Sequence, residues 1–283
     1  MNWQAGAGAA LGSRVVDVAP LSGGCIGQVY RLRLADGRSV VAKVDESPDS
    51  QLGREGYMLR YLAEQSALPV PAVLHQEDGL LLMAYLPGES RFSAAAQAHA
   101  AELLAALHAI GGPAYGLAED TLIGGLHQPN AWRDSWIDFF REQRLLYMGR
   151  QAVGVGRLPP ALFNRLTSFA GHLERWLVEP ERPSLLHGDV WTTNVLAVGD
   201  QISGFLDPAI YYGHPEIELA FVTLFDTFSR PFFQRYQELH PIADGFFPTR
   251  RDIYNLYPLL VHVRLFGGSY IHSVDQTLRQ FGY

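Results

Sequence analysis

Residues Leu186-His187-Gly188-Asp189-Val190-Trp191-Thr192-Thr193-Asn194 decide how this chain is read. An Asp and an Asn stand five positions apart in an apolar surround. Phosphoryl-transfer catalytic loops have the same Asp-x-x-x-x-Asn spacing. Such a loop positions two things at once: the Asp accepts or orients the proton of an attacking hydroxyl, and the Asn amide oxygen reaches a magnesium ion. Thirteen residues later, Phe205-Leu206-Asp207-Pro208 ends a strand-like run in a carboxylate, which would hold metal against nucleotide phosphates. Pro208 and Ala209 replace the Phe and Gly of a DFG motif, so no DFG-type flip is implied. Taken singly, Asp189 and Asn194 also fit ordinary turn positions.

Features upstream make the set coherent. Leu21-Ser22-Gly23-Gly24-Cys25-Ile26-Gly27-Gln28-Val29-Tyr30 is glycine-rich and enters a strand. Gly23, Gly24, Cys25, Ile26 and Gly27 can lay backbone N–H groups over phosphates, because glycine lets the chain approach closely. Tyr30, Leu32 and Leu34 alternate with Arg31 and Arg33, Asp36-Gly37 signals a hairpin turn, and Ser39 to Val44 returns as a second strand carrying Lys43. A helix is expected over Gln51 to Glu64, with Glu55 in its first half, where it can hold the Lys43 ammonium in place. Leu80 to Leu86 reads as a buried strand ended by Pro87-Gly88, which sets the boundary between lobes at 1–86 and 87–283.

Beyond that boundary the apolar period becomes helical. Leu103, Leu104 and Leu107 form one stripe, Trp132, Trp136, Phe139 and Phe140 a second, and Leu162, Leu166, Phe169, Leu173 and Trp176 a third. The expected fold is α+β and bilobal, a protein-kinase-like plan. Its small antiparallel-sheet lobe carries one main helix, and its larger lobe is mostly helical.

The 283 residues include 48% hydrophobic side chains, enough for a well-filled core. With 22 Lys and Arg against 29 Asp and Glu, the net charge of −7 gives no general attraction to nucleic acid or anionic membranes. No apolar run approaches the roughly 18 residues of a membrane span. No basic segment precedes the early Ala/Gly stretch, so a cytoplasmic protein is expected. The single cysteine, Cys25, excludes an intramolecular disulfide and a multi-thiolate zinc site.

On these motifs the chain resembles the fructosamine kinase (ketosamine-3-kinase) family, in the aminoglycoside-phosphotransferase and choline-kinase-like branch of the kinase fold. The resemblance is carried by His187-Gly188-Asp189-Val190-Trp191 and by Asp207-Pro208-Ala209-Ile210-Tyr211-Tyr212-Gly213-His214-Pro215-Glu216. Trp136 to Leu145 and Leu265 to Tyr270 agree with it. It implies ATP- and Mg2+-dependent phosphorylation of a sugar hydroxyl, at C3 of a fructosamine or ribulosamine, free or on a glycated lysine as in protein deglycation. Asp189 is then the catalytic base, Asn194 and Asp207 the magnesium ligands, and Lys43 with Glu55 the phosphate anchor. Adenine is expected against the backbone of Met83, Tyr85 and Leu86.

Four positions depart from the family pattern: Thr192-Thr193 replaces Ser-Gly, Gly27 replaces Asn, and Glu218 replaces the Asp that ties down the catalytic loop. The rival readings are an aminoglycoside, choline or homoserine kinase of the same fold, and a nucleotide-binding scaffold without turnover.

Trp191, Tyr211, Tyr212 and His214 flank the expected metal site and suit a sugar or an amine, or else pack the loop. Glu216 either binds an amine or begins a helix. His187 is expected to brace the loop. Cys25, inside the phosphate loop, is either an inert small residue or a reactive thiol. The chain is accordingly expected as a monomer, or as a homodimer linked through Cys25.

Overall fold

The computed structural model describes residues 3–21 and 27–283. Helix α1 (Trp3–Leu11) leads into strands β1 (Val15–Pro20), β2 (Gln28–Leu34) and β3 (Ser39–Val44). Helix α2 (Leu52–Gln65) follows, then β4 (Val73–Glu77) and β5 (Leu80–Ala84). The strands form one antiparallel sheet in the order β1-β2-β3-β5-β4.

Alternation along β5 explains how the sheet is covered. Leu80 and Leu82 pack with Leu32, Leu34, Val40 and Ala42 on one face, beside Ala7 of α1. Leu81 and Met83 face the other way, onto Leu52 and Leu59 of α2. Side chains of a strand point alternately to its two faces, so one apolar run serves both layers. β3 lies centrally, and its register sets Lys43 opposite Val29 and Leu81, which buries a lysine that would be solvated at an edge.

The remainder is mostly helical. Ser93 caps α3 (Ala94–His108) by accepting from the Ala96 N–H at 3.1 Å. A hairpin, β6 (Thr121–Ile123) and β7 (Leu126–Gln128), precedes α4 (Trp136–Phe139). A wider π-type turn over Phe140–Leu146 connects that helix to α5 (Tyr147–Gly154), and α6 (Pro160–Ala170) follows. Strand β8 (Ser184–Leu186) pairs with β11 (Tyr211–Gly213), enclosing the β9 (Val195–Val198) and β10 (Gln201–Phe205) pair. Helices α7 (Pro215–Leu224), α8 (Arg230–Leu239), α9 (Arg251–Phe266) and α10 (Ser269–Gln280) complete the chain.

One continuous core runs from Met58 and Leu62 of α2 through Leu104, Trp136, Phe140, Leu166, Phe205 and Leu260. The helix of the sheet lobe is thereby packed into the core of the helical lobe. Among the described residues no helix is long and apolar enough to cross a membrane.

The kinase-like plan of a small sheet beside a larger helical body is thus the observed one, with corrections in detail. The strand expected to reach Leu86 stops at Ala84. Trp132 lies outside any helix and is 39% exposed, so it does not belong to the Trp136 stripe. Elements α1, β1, β4, β6 and β7 were not foreseen from the residue pattern.

Leu104 is fully buried at the centre of the large core. Leu104→Ala is expected to cost about 2–5 kcal/mol in urea unfolding, through lost burial and a residual cavity, and Leu104→Met less than about 1.5 kcal/mol.

Candidate active site

The cleft between sheet and helices holds two cavities that meet. The inner one is walled by Val29, Val41, Met83, Tyr85 and Leu86. The outer one is walled by Met58, Leu122, Gly124, Gly125, Asp189 and Trp191. They share Lys43, Glu55, Thr193, Asn194 and Asp207. The charged groups therefore stand where a molecule in one cavity would touch a molecule in the other.

Lys43 is the hub. Its Nζ lies 2.6 Å from Glu55 Oε1 and 2.6 Å from Asp207 Oδ1. Burial alone would push the ammonium toward its neutral form, but the two carboxylates outweigh it and hold the pKa above the ordinary lysine range. Glu55 is placed by the first turn of α2, and Asp207 by the end of β10. Asp207 adopts φ 50°, an uncommon conformation for a residue with a β-carbon, and its carboxylate stays about a third exposed.

The loop carrying Asp189 is held from several sides. Gly188 has φ 85°, and a β-carbon there would run into the Ala209 carbonyl oxygen, so glycine alone lets the loop cross the segment between β10 and β11. The Ala209 N–H donates to the His187 carbonyl at 2.7 Å, and the Leu206 N–H to the Asn194 carbonyl at 2.8 Å. Asn194 Nδ2 donates to Asp189 Oδ2 at 2.9 Å and to the Asp189 carbonyl at 3.1 Å. Asn194 Oδ1 accepts only a long bond from the Thr193 hydroxyl, 3.5 Å, and keeps a lone pair for a ligand.

Asp189 borders the outer cavity and also a smaller one, and protein encloses the rest of it. Burial, then the nearby Asp207 charge, push its carboxyl well above the usual range despite the Asn194 bond. His187 Nδ1 accepts from the Asp189 N–H at 3.3 Å, and burial lowers its pKa, so the imidazole is neutral and braces the loop.

Glu218, in the first turn of α7, fastens the same loop. It accepts from the Gly188 N–H at 2.5 Å, the His187 N–H at 3.3 Å and His108 Nε2 at 2.8 Å. His108 Nδ1 in turn meets the Tyr236 hydroxyl at 2.7 Å. Burial pushes the Glu218 carboxyl up, but the His108 and Gly188 bonds prevail and leave it below its ordinary range. The longer side chain at this departure from the family pattern reaches both partners.

The residues expected to contact substrate divide. Trp191 lines the outer cavity, its ring 5.6 Å from Phe225. Tyr211 borders a smaller cavity on the far side of Asp189, with Tyr257 and His262, and the Arg144 guanidinium sits 3.9 Å over its ring. Tyr212, His214 and Glu216 do not line these cavities. The Tyr212 hydroxyl meets that of Tyr61 on α2 at 3.1 Å. His214 caps α7 by accepting from the Glu216 N–H at 3.1 Å, its pKa pushed down to about 3 by burial and Arg250. Glu216 is occupied by a two-point pair with Arg250, 2.6 Å at each oxygen.

Gly23, Gly24, Cys25 and Ile26 lie outside the described residues, and with them the Cys25-linked dimer. Gly27 has φ 66°, a conformation glycine and asparagine both accept, and a β-carbon there would press on the Val44 carbonyl. The sequence reading missed Leu122, Gly124 and Gly125. The signal was present as a Gly-Gly pair between apolar residues, which marks a hairpin turn.

Asp207 and Asn194 offer hard oxygen donors side by side, which suits magnesium. That ion takes one or two carboxylates and completes its shell with water and phosphate. Among the described residues no group of three or more His, Cys, Asp or Glu could hold a metal unaided.

Residues 7–282 match the family model for fructosamine kinase. A "Probable ketoamine kinase" from Synechocystis sp. is 34% identical over 279 residues, covering 94% of this chain and 90% of the relative. Another, YniA of Escherichia coli, is 31% identical over 269 residues, covering 91% and 90%. A solved structure from Thermobifida fusca, provisionally named a fructosamine-3-kinase, superposes with a TM-score of 0.87 at 32% identity, covering 98% and 97%. An aminoglycoside phosphotransferase, APH(4)-Ia, superposes with a TM-score of 0.69 at 17% identity, covering 100% and 99%, and so shares the fold.

The Glu218 contacts set a pH signature. Its carboxyl is depressed in the folded state, so its contribution is complete above the unfolded value near 4.3 and fades as pH falls through the lower folded value. The stability gap between wild type and Glu218→Gln in urea is accordingly expected to be largest near pH 7 and to shrink steadily below about pH 4.

Proposed function

Since the chain belongs to the fructosamine kinase family, we propose that it transfers the γ-phosphoryl group of ATP to the 3-hydroxyl of a ketosamine, a fructosamine or a ribulosamine, free or on a glycated lysine. The observation that carries this reading is the junction of the two cavities, where Lys43, Asn194 and Asp207 stand between the Met83–Leu86 wall and Asp189. We take residues 1–86 as the nucleotide-binding lobe and 87–283 as the lobe that supplies base and acceptor.

Chemically, each residue has a limited task. Met83, Tyr85 and Leu86 hold the adenine, with Gly27 at the end of the phosphate loop. Lys43, oriented by Glu55, draws charge from the phosphates. Asn194 and Asp207 would hold magnesium, which supplies charge neutralisation on the transferring group. Asp189 Oδ1, the oxygen not taken by Asn194, accepts the proton of the acceptor hydroxyl as its oxygen attacks. Asn194 keeps that carboxylate aimed through its Nδ2 bond. Glu218 and His187 hold the loop still, so the loop costs little reorganisation during transfer. No covalent enzyme intermediate is required.

ADP release measured over fructosamines, ribulosamines, aminoglycosides and choline tests the reading. Turnover is expected with the ketosamines, and product NMR should place the phosphate on C3. Turnover with choline or an aminoglycoside alone would overturn it. Asp189→Ala should lower kcat by about 10²–10⁴, the usual contribution of a general base.

A further inference from the structure

We propose that the β6–β7 hairpin recognises the acceptor, its Gly124–Gly125 turn presenting bare peptide groups to the hydroxyls of a polyol held against Asp189. The proposal rests on the phosphoryl-transfer reading above and adds to it the element that selects the substrate.

Position is the first argument. Leu122, Gly124 and Gly125 wall the outer cavity together with Asp189 and Trp191, and none of the three borders the cavity assigned to the nucleotide. Ile123, the next residue along β6, faces the smaller cavity beyond Asp189, beside Tyr257 and His262. Successive strand residues point to opposite faces, so this one strand walls both spaces that flank the base. An acceptor with its reacting hydroxyl at Asp189 would lie along it.

The turn itself is the second argument. Gly124 at φ 53° and Gly125 at φ 78° form a two-residue turn that closes Ile123 onto Leu126. Left-handed conformations at both positions are those of the tightest hairpin turn, and glycine there leaves no side chain between backbone and ligand. Among the described residues no hydrogen bond reaches the N–H or C=O of either glycine. A peptide group offers one donor and one acceptor, and so does each hydroxyl of a sugar chain. The match favours a polyol over choline, which has a single hydroxyl and a trimethylammonium group with no N–H to donate.

Rigidity is the third. Thr121 and Gln128, on the two strands of the hairpin, are fully buried. Gln128 Nε2 donates to Thr121 Oγ1 at 2.8 Å and to the Ala209 carbonyl at 3.0 Å, and its Oε1 accepts from the Tyr257 hydroxyl at 2.6 Å. Thr121 Oγ1 donates to the Ile210 carbonyl at 3.2 Å and accepts from Asn130 Nδ2 at 2.8 Å. Arg144 Nη2 holds Asn130 Oδ1 at 2.7 Å. Every polar atom of Gln128 is satisfied, which makes such a network stiff. The hairpin is thereby tied to Ala209 and Ile210, just beyond Asp207, so its tip keeps a set distance from the transferring groups.

The test uses the full chain with ATP and magnesium, and N-fructosyl-glycine, N-ribulosyl-glycine, kanamycin and choline as acceptors. Gly124→Asn keeps the turn, because asparagine accepts the left-handed conformation and favours that position, but it adds a side chain at the tip. The KM for the polyol acceptor is expected to rise at least about tenfold, while the KM for ATP moves by less than about twofold. In wild-type protein labelled with [15N]glycine and loaded with ADP and magnesium, the Gly124 and Gly125 amide resonances are expected to shift when that acceptor is added.

An unchanged acceptor KM in a folded Gly124→Asn, or unmoved resonances with all four compounds, overturns the proposal. If the variant does not fold, the resonances decide. Turnover of choline alone overturns both the hairpin proposal and the ketosamine reading. Turnover of kanamycin alone overturns only the ketosamine reading, and the hairpin then stands or falls on the kanamycin KM.

Discussion

One ammonium joins the two halves of the cleft. Lys43 projects from the central strand of the sheet and contacts Glu55 on α2 and Asp207 at the end of β10, each at 2.6 Å. A buried charge is costly unless its partners are close and well placed. Strand, helix and the segment that follows β10 are therefore bound to one relative position. The core supports the same arrangement, because Met58 and Leu62 of α2 pack with Leu104 and Trp136 of the helical lobe. The Tyr61–Tyr212 hydroxyl contact adds a second polar tie across the lobes.

From that anchor the site extends in two directions. Toward the sheet, the inner cavity ends on Met83, Tyr85 and Leu86. Toward the helices, it opens past Asp189 to Trp191 and the β6–β7 hairpin. The departures from the family pattern are accommodated locally. Glu218 bonds His108 as well as the catalytic-loop backbone, while Gly27 occupies a left-handed position that suits it. Thr193 borders both cavities, and the Thr192 hydroxyl reaches that of Thr227 at 3.4 Å. None of these changes displaces a group needed to accept a proton or neutralise charge.

Much of this was legible from residues alone where local pattern and chemistry coincide. The alternation around Leu32 and Leu34 marked β2, and the spacing of Leu52, Met58, Leu59 and Leu62 marked α2. The order of Lys43, Glu55, Asp189, Asn194 and Asp207 told which side chains converge. Short elements were not legible: β6 and β7 have three residues each, too few for a period, and β4 lies between prolines and a turn. The direction of side chains near the site was equally hidden. Tyr211 and Tyr212 are adjacent on one strand, so they point oppositely, and Tyr212 turns to α2 instead of the cleft. Glu216 looked available for an amine because its partner, Arg250, is 34 residues away in sequence.

The account depends most on where metal and nucleotide come to rest. A crystal structure with a non-hydrolysable ATP analogue and Mn2+ in place of magnesium measures this directly, since the manganese position follows from its anomalous scattering. The expected result is a metal peak within bonding distance of Asn194 Oδ1 and the Asp207 carboxylate. Lys43 should lie on the phosphates, the adenine against the Met83–Leu86 backbone, and the terminal phosphate should face Asp189. A metal bound away from Asn194 and Asp207, or a nucleotide seated outside the inner cavity, would contradict it.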